Sequence, residues 1–189
     1  AASIAALKFL SAGGSGAISD AIDAVNYANR MGFDLTPNSW GGGGYSALME
    51  EAISPAGTAG HLFVAAAGNS ALNTDTAANY PSGYDCENIL SVAATDANDA
   101  LAYFSNHGVE SVDLAAPGVD IYSTAPNAGY TTLSGTSMAT PHVAGAAALL
   151  KSAHPQFGAP LLKTVLLASV DPITSLQGVV STGGRLNLA

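Results

Sequence analysis

A parallel α/β fold is what this sequence predicts, and three observations lead there. Strand-like and helix-like segments alternate along the chain. Glycine clusters punctuate the junctions, as tight turns and close packing require. And 189 residues with 48% hydrophobic and only 10% charged side chains suffice for one domain with a sizeable core, which excludes a disordered chain and most coiled coils.

The elements follow in order. Residues 4–10 read as a core strand, and Gly13-Gly14-Ser15-Gly16 turns the chain. A helix is expected over 18–30, with Ile18, Ile22 and Val25 on one face at spacings of four and three, ended by Met31-Gly32. A second strand, 35–40, runs into the glycines 41–44. A second helix starts near Ser46 and carries Leu48, Met49, Ala52 and Ile53. The apolar strand 62–67 ends at Gly68-Asn69, and a long loop, 70–87, separates it from strand 89–94. Shorter strand-like pieces lie near 112–115 and 119–123. A small-residue helix is expected from Ala139 to about Ala153, and a last helix over 159–168. Two prolines resist this outline. Pro37 removes a ladder donor from the second strand, and Pro55 would clash with the Glu51 carbonyl in the second helix. Either those elements end earlier, or both sites bend locally. No linker, repeat or low-complexity tract divides the chain, so residues 1–189 read as a single unit.

Composition narrows the function. A net charge of −9, with five unclustered Lys and Arg, argues against a nucleic-acid partner. No apolar run reaches the roughly 18 residues that span a bilayer, so no membrane partner is expected. Cys86 stands alone, so an intrachain disulfide and thiolate zinc sites are excluded, and a buried inert thiol is the default.

The most informative stretch is Gly135-Thr136-Ser137-Met138-Ala139-Thr140-Pro141-His142. It sets a serine hydroxyl between a glycine turn and a helix start, where free amides and the positive dipole end stabilise negative charge. A Ser cap with Pro in the first turn would explain Ser137 and Pro141 separately, but not the whole run.

The octapeptide resembles, residue for residue, the nucleophile signature of subtilisin-like serine peptidases. Four further blocks resemble that family in its own order: the strand 6–10, the cleft-lining segment 38–42, the strand 64–69 ending in an asparagine, and the turn Ala115-Ala116-Pro117-Gly118. The resemblance implies a subtilisin-like three-layer αβα fold, mainly parallel, with helices on both faces and the N-terminal part of the domain missing. It implies serine endopeptidase chemistry, with Ser137 as nucleophile and Asn69 as oxyanion donor. Peptide or protein substrates would lie extended against Ser39, Trp40, Gly41 and Gly42. Ala65, Ala66, Ala67 and Gly68 would line the primary pocket beside Thr136, their small side chains leaving room for a large one. Trp40 also fits an ordinary core or rim aromatic.

A serine needs a base. The family takes it from a His-Gly-Thr segment oriented by an Asp-Ser/Thr-Gly segment, both upstream of the serine motif and neither present in this sequence. His142 lies about 140° around the helix from Ser137, and His61, His107 and His154 carry no signature of a base. The chain alone is therefore expected to be inactive, with the missing N-terminal segment of the same domain as its partner. A non-catalytic peptide- or partner-binding remnant is the alternative. A dinucleotide-binding unit suits the strand, the glycines 13–16, the helix and Asp34, but Ser19 stands where the third glycine belongs. The family often binds calcium. A site near 80–84 with Asp96 is conceivable on backbone oxygens and a carboxylate, against a solvated acidic loop as the simpler reading. Asp75, Asp85, Asp99 and Asp120 read as surface and turn residues. The family and the low basic content suggest an extracellular setting.

Overall fold

The computed structural model describes residues 2–188. Its elements are α1 (Ile18–Arg30), β1 (Leu35–Asn38), α2 (Ala47–Thr58), β2 (Leu62–Ala66), β3 (Ile89–Thr95), β4 (Leu114–Pro117), β5 (Ile121–Ala125), β6 (Gly129–Leu133), α3 (Thr136–Ala153), α4 (Ala159–Ala168), β7 (Asp171–Pro172) and β8 (Gly184–Arg185). Six strands form one sheet in the order β1-β2-β3-β4-β8-β7, parallel throughout except for the β7–β8 pair. β5 and β6 form a separate antiparallel hairpin.

The alternation along β2 explains the layering. Leu62 and Val64 point to one face, where they join Val143, Ala147, Leu162 and Leu166 of α3 and α4. Phe63 and Ala65 point to the other, where they meet Ala21 and Val25 of α1 and Met49 and Ile53 of α2. Every residue of β2 and β3 is buried, because each has a strand on both sides and helices above and below. The expected three-layer α/β/α arrangement is the observed one.

Several elements differ in detail. Residues 4–10 form no strand: the segment is largely exposed, Ile4 at 97%, and no neighbouring strand among the described residues gives it a ladder. Apolar composition favours a strand only where backbone partners exist. Only Phe9 is drawn in, edge-on to Trp40 at 5.1 Å. In α1 the buried stripe is Ala21, Val25 and Ala28, and Ile18 is exposed. In α2, which Ser46 caps through its Oγ to the Met49 N–H at 3.4 Å, Leu48 is exposed while Met49, Ala52 and Ile53 are buried. Pro55 lies inside α2, which continues to Thr58. β1 ends at Asn38, and Pro37 is tolerated because β1 pairs only with β2 and so lies at the sheet edge. β4 begins two residues later than the strand-like piece at 112–115, and the piece at 119–123 becomes one arm of the hairpin.

Asp75 does more than cover surface. Its carboxylate accepts from the Val109, Glu110 and Ser111 N–H groups and from Ser111 Oγ, fastening the long loop to 109–111. Burial pushes its pKa up, but the Ser111 hydroxyl and the three amides outweigh that and hold it below the usual carboxylate value. Asp99 and Asp120 sit in turns with φ of 60° and 54°. Cys86 is buried, and burial pushes its thiol up to about 11, as an inert thiol requires.

Candidate active site

The tip of β2 is bent by Gly68, whose φ of 108° suits glycine alone. A Cβ there would lie 2.4 Å from Asn106 Nδ2. Asn106, 1% exposed, wraps the bend. Its amide donates to the Ala67 carbonyl at 2.8 Å, its Oδ1 accepts from Ser70 and Leu72 N–H at 3.0 and 3.1 Å, and its own N–H donates to the Gly68 carbonyl. This turn delivers Asn69 to the surface.

The opposite wall is the start of α3. Gly135 N–H donates to the Gly118 carbonyl at 2.8 Å. A side chain at Gly118 would collide with Ala94 Cβ at 2.6 Å and the Gly135 carbonyl at 2.8 Å, so glycine permits this crossing. The helix begins at Thr136, three residues before the expected Ala139, and Ser137 therefore lies in its first turn. Thr136, fully buried, donates to Asn69 Oδ1 twice, from its N–H at 2.8 Å and its hydroxyl at 3.0 Å, and its Oγ1 accepts from Gly68 N–H. These bonds fix the Asn69 amide: the carbonyl end is held by Thr136, and the NH₂ end has no protein partner among the described residues.

Ser137 and Ser39 exchange hydrogen bonds. Ser39 Oγ donates to the Ser137 carbonyl at 2.8 Å, and Ser137 Oγ donates to the Ser39 carbonyl at 3.3 Å. Residues 98 apart in sequence thus seat the serine against the segment that follows β1. The Ser137 N–H, one of the helix's unsatisfied first amides, has no partner among the described residues. Thr136 thus ties the Asn69 amide to the start of α3, next in sequence to the hydroxyl and N–H of Ser137, neutral donors of the kind that can hold a developing oxyanion.

The sequence-predicted residues divide. Ser39, Gly41 and Gly42 are exposed; Ser39 bonds Ser137, and Gly42 N–H donates to the Tyr80 carbonyl at 3.1 Å. Trp40 turns inward: its ring packs edge-on to Phe63 and its Nε1 donates to Asn38 Oδ1 at 3.2 Å, so it is a rim aromatic of the core. Ala65, Ala66 and Ala67 are buried, at 0%, 5% and 0% exposure, so the open surface of this wall begins at Gly68. Asn106, which shapes the turn, carries no local sequence signal. Its partners lie far along the chain, and only the glycine it touches could have pointed to it.

None of the four histidines touches Ser137. His142 is exposed and bonds the Met138 carbonyl through Nδ1 at 2.8 Å; His154 stacks on Phe157. His107 belongs to a loop bridged to Asn73. His61 is buried, with Nδ1 donating to the Phe33 carbonyl and Nε2 paired with Thr36 Oγ1 at 2.9 Å. Burial lowers its pKa more than the Phe33 carbonyl and Asp34 raise it, which keeps the ring neutral.

Of the residues suggested for calcium, Asp96 Oδ1 accepts from the Asn98 and Ala100 N–H groups, closing its own turn. The carbonyls of Asn79, Tyr80 and Pro81 each accept one backbone N–H, from Gly83, Gly42 and Tyr84, and those of Tyr80 and Pro81 keep a second lone pair. Among the described residues no three His, Cys, Asp or Glu side chains gather as a site built on side chains alone would need. No described helix is long and apolar enough to cross a membrane.

Comparison with known proteins agrees with this fold. The profile of the Subtilase family matches residues 1–183. Subtilisin DY of Bacillus licheniformis is 41% identical over 165 residues, 87% of this chain and 59% of that protein. Subtilisin Savinase of Lederbergia lenta is 42% identical over 156 residues, covering 82% and 56%. Thermitase of Thermoactinomyces vulgaris is 45% identical over 151 residues, covering 80% and 52%. Among solved structures, a cold adapted subtilisin-like serine proteinase superposes with a TM-score of 0.80 at 35% identity, over 95% of this chain and 63% of that one. The chain thus spans about three fifths of the length of these relatives.

Proposed function

The chain belongs to the subtilase family, and on that premise we propose that it carries the nucleophile and the oxyanion hole of a serine endopeptidase. The observation that carries the reading is the pair of Thr136 bonds to Asn69 Oδ1. They leave the Asn69 NH₂ and the Ser137 N–H as the two uncommitted donors beside one hydroxyl.

In this mechanism Ser137 Oγ attacks the substrate's peptide carbonyl, and the carbonyl oxygen becomes an oxyanion. The Asn69 NH₂ and the Ser137 N–H donate to it, and the dipole of α3 adds its positive end. Both donors are held before the substrate arrives, so little reorganisation accompanies charge development. The substrate lies extended along Ser39–Gly42, with Gly41 and Gly42 letting its backbone approach closely. The proton leaving Ser137 needs an acceptor. With the carbonyl of Ser39 as the only partner of the hydroxyl among the described residues, the base and its orienting carboxylate have to come from the segment that precedes the serine motif in the family's chain order. The chain by itself is inactive on this account. An extracellular setting, protein or peptide substrates and no nucleic-acid partner complete the reading.

The test is fluorophosphonate labelling of this chain, alone and joined to a segment that carries the family's Asp-Ser/Thr-Gly and His-Gly-Thr motifs. Labelling at Ser137 only in the joined form is the expected result. Equal labelling of both forms would show that the base lies within these 189 residues. Absence of labelling in both, with peptide still bound, would favour a binding remnant.

A further inference from the structure

Four consecutive glycines, residues 41–44, join the segment that seats Ser137 to the start of α2. Gly42 and Gly43 have φ of 111° and 85°, and a Cβ at Gly42, Gly43 or Gly44 would meet nothing within 4 Å. Neighbouring atoms therefore do not wall this run in. Its one backbone hydrogen bond among the described residues is the bond from Gly42 N–H to the Tyr80 carbonyl. Glycine loses more conformational freedom on ordering than any other residue, so a run with a single tether is costly to hold in one path.

The next residue closes the run. The Tyr45 ring lies against two others, edge-on to Tyr80 at 5.8 Å and tilted over Tyr84 at 5.7 Å. Its hydroxyl donates to Glu50 Oε2, in the first turn of α2, at 2.5 Å. Tyr84 is buried, lies 4.6 Å from Tyr80, and accepts the Ser46 N–H on its own hydroxyl at 3.1 Å. One aromatic cluster thus grips the run at both of its anchors: the Tyr80 backbone holds Gly42, and the Tyr80 and Tyr84 rings hold Tyr45. Tyr45 itself is 59% exposed and joins none of the buried clusters. Its contacts serve the loop and not the core.

We propose that Tyr45 is a positioning residue for substrate: it pins the far end of residues 41–44, so that this edge is ordered before a peptide pairs with it. The proposal rests on the peptidase reading above, in which the substrate lies along residues 39–42. Tyr45 acts through the glycines and touches no reacting group. The ring contacts carry most of the effect, because the bond to Glu50 is open to water.

The experiment compares Tyr45→Ala and Tyr45→Phe with the wild type, each joined to the segment that carries the family's Asp-Ser/Thr-Gly and His-Gly-Thr motifs. Two substrates share one leaving group: an acetylated tetrapeptide anilide, long enough to lie along the edge, and an acetylated single-residue anilide, too short to do so. Tyr45→Ala should raise KM for the tetrapeptide about five- to tenfold, keep kcat within about twofold, and leave KM for the short substrate within about twofold. Tyr45→Phe keeps the ring and should stay within about twofold on both. An unchanged tetrapeptide KM in Tyr45→Ala, an equal rise for both substrates, or a Phe variant as impaired as the Ala variant overturns the proposal. Amide hydrogen exchange of this chain needs no catalysis. Tyr45→Ala should speed exchange at Gly42 about fivefold or more and leave the amides of β2 unchanged. No change at Gly42, or the same acceleration in β2, overturns the proposal. Faster exchange confined to residues 42–45, in a joined protein that fluorophosphonate does not label, would sink the peptidase reading and leave the pin standing.

Discussion

Residues 4–7, Ile-Ala-Ala-Leu, and residues 62–66, Leu-Phe-Val-Ala-Ala, are both apolar runs of alanine and larger hydrophobic side chains, yet they end in opposite conditions. The first lies open, with Ile4 97% exposed and no ladder. The second is the buried strand β2, flanked by β1 and β3 and covered on both faces. The difference is not in their side chains. It lies in whether neighbouring backbone answers each N–H and C=O, and in whether helices close the two faces. The same contrast separates a region that can hold reacting groups still from one that cannot: Asn69 and Ser137 are both anchored on the answered side.

Substitutions should read this contrast as graded effects. Leu62→Ala removes a fully buried side chain between β2 and the α3–α4 layer, and should cost about 2–5 kcal/mol in urea unfolding. A loss below 1 kcal/mol would mean that the layer is looser than its burial implies. Asn69→Ala in the joined protein should lower kcat about a hundred- to a thousandfold, the range known for an oxyanion donor in this same family. A loss confined to KM would move Asn69 from the oxyanion to the substrate. Gly68→Ala combines a left-handed φ with a collision against Asn106, and should cost about 1–3 kcal/mol by the same unfolding measurement. Asn106→Ala in that background should recover part of the loss if the collision is its main cause.

A pH effect tests the lower end of the frame. His61 is held neutral by burial, so its folded pKa lies below the ordinary value of about 6.5. Below that pH the unfolded chain takes up the proton first, and stability falls as pH drops; above it the contribution is fully present. Urea midpoints at pH 7.5 and 5.0 should show this fall in the wild type and less of it in His61→Asn. The smallest effect belongs to the open segment: Ile4→Ala should change stability by no more than about 0.5 kcal/mol. A larger loss would show that residues 4–8 are covered in solution.

Much of the site was readable in the sequence because its chemistry sits in contiguous words. Gly135-Thr136-Ser137 and Gly68-Asn69 each encode a turn and a functional group together. The α/β alternation was readable for the same reason, since β2 is an unbroken apolar run and β3 is broken only by Ser91 before it ends at Thr95. Other features depend on partners far along the chain. Residues 4–10 look like a strand by composition, and only the absence of a ladder among the described residues shows otherwise. The arm 129–133 of the hairpin, Gly-Tyr-Thr-Thr-Leu, has one aromatic and two threonines, and becomes a strand only because β5 lies opposite. Asn106 is polar, lies in a loop and is buried, and its bonds cross 34 to 39 positions of sequence.

The two Thr136 bonds to Asn69 have a consequence for replacement chemistry. On the proposed reading one planar amide is shared between scaffold and reaction, its oxygen held by Thr136 and its nitrogen offered to the substrate. Asp is an isostere that would keep the scaffold half and invert the polarity of the other. Gln would keep both polarities and lose the reach, since an added methylene cannot hold the oxygen on Thr136 without displacing the nitrogen. At this position shape and polarity are inseparable, and the side chain that satisfies both is the one present.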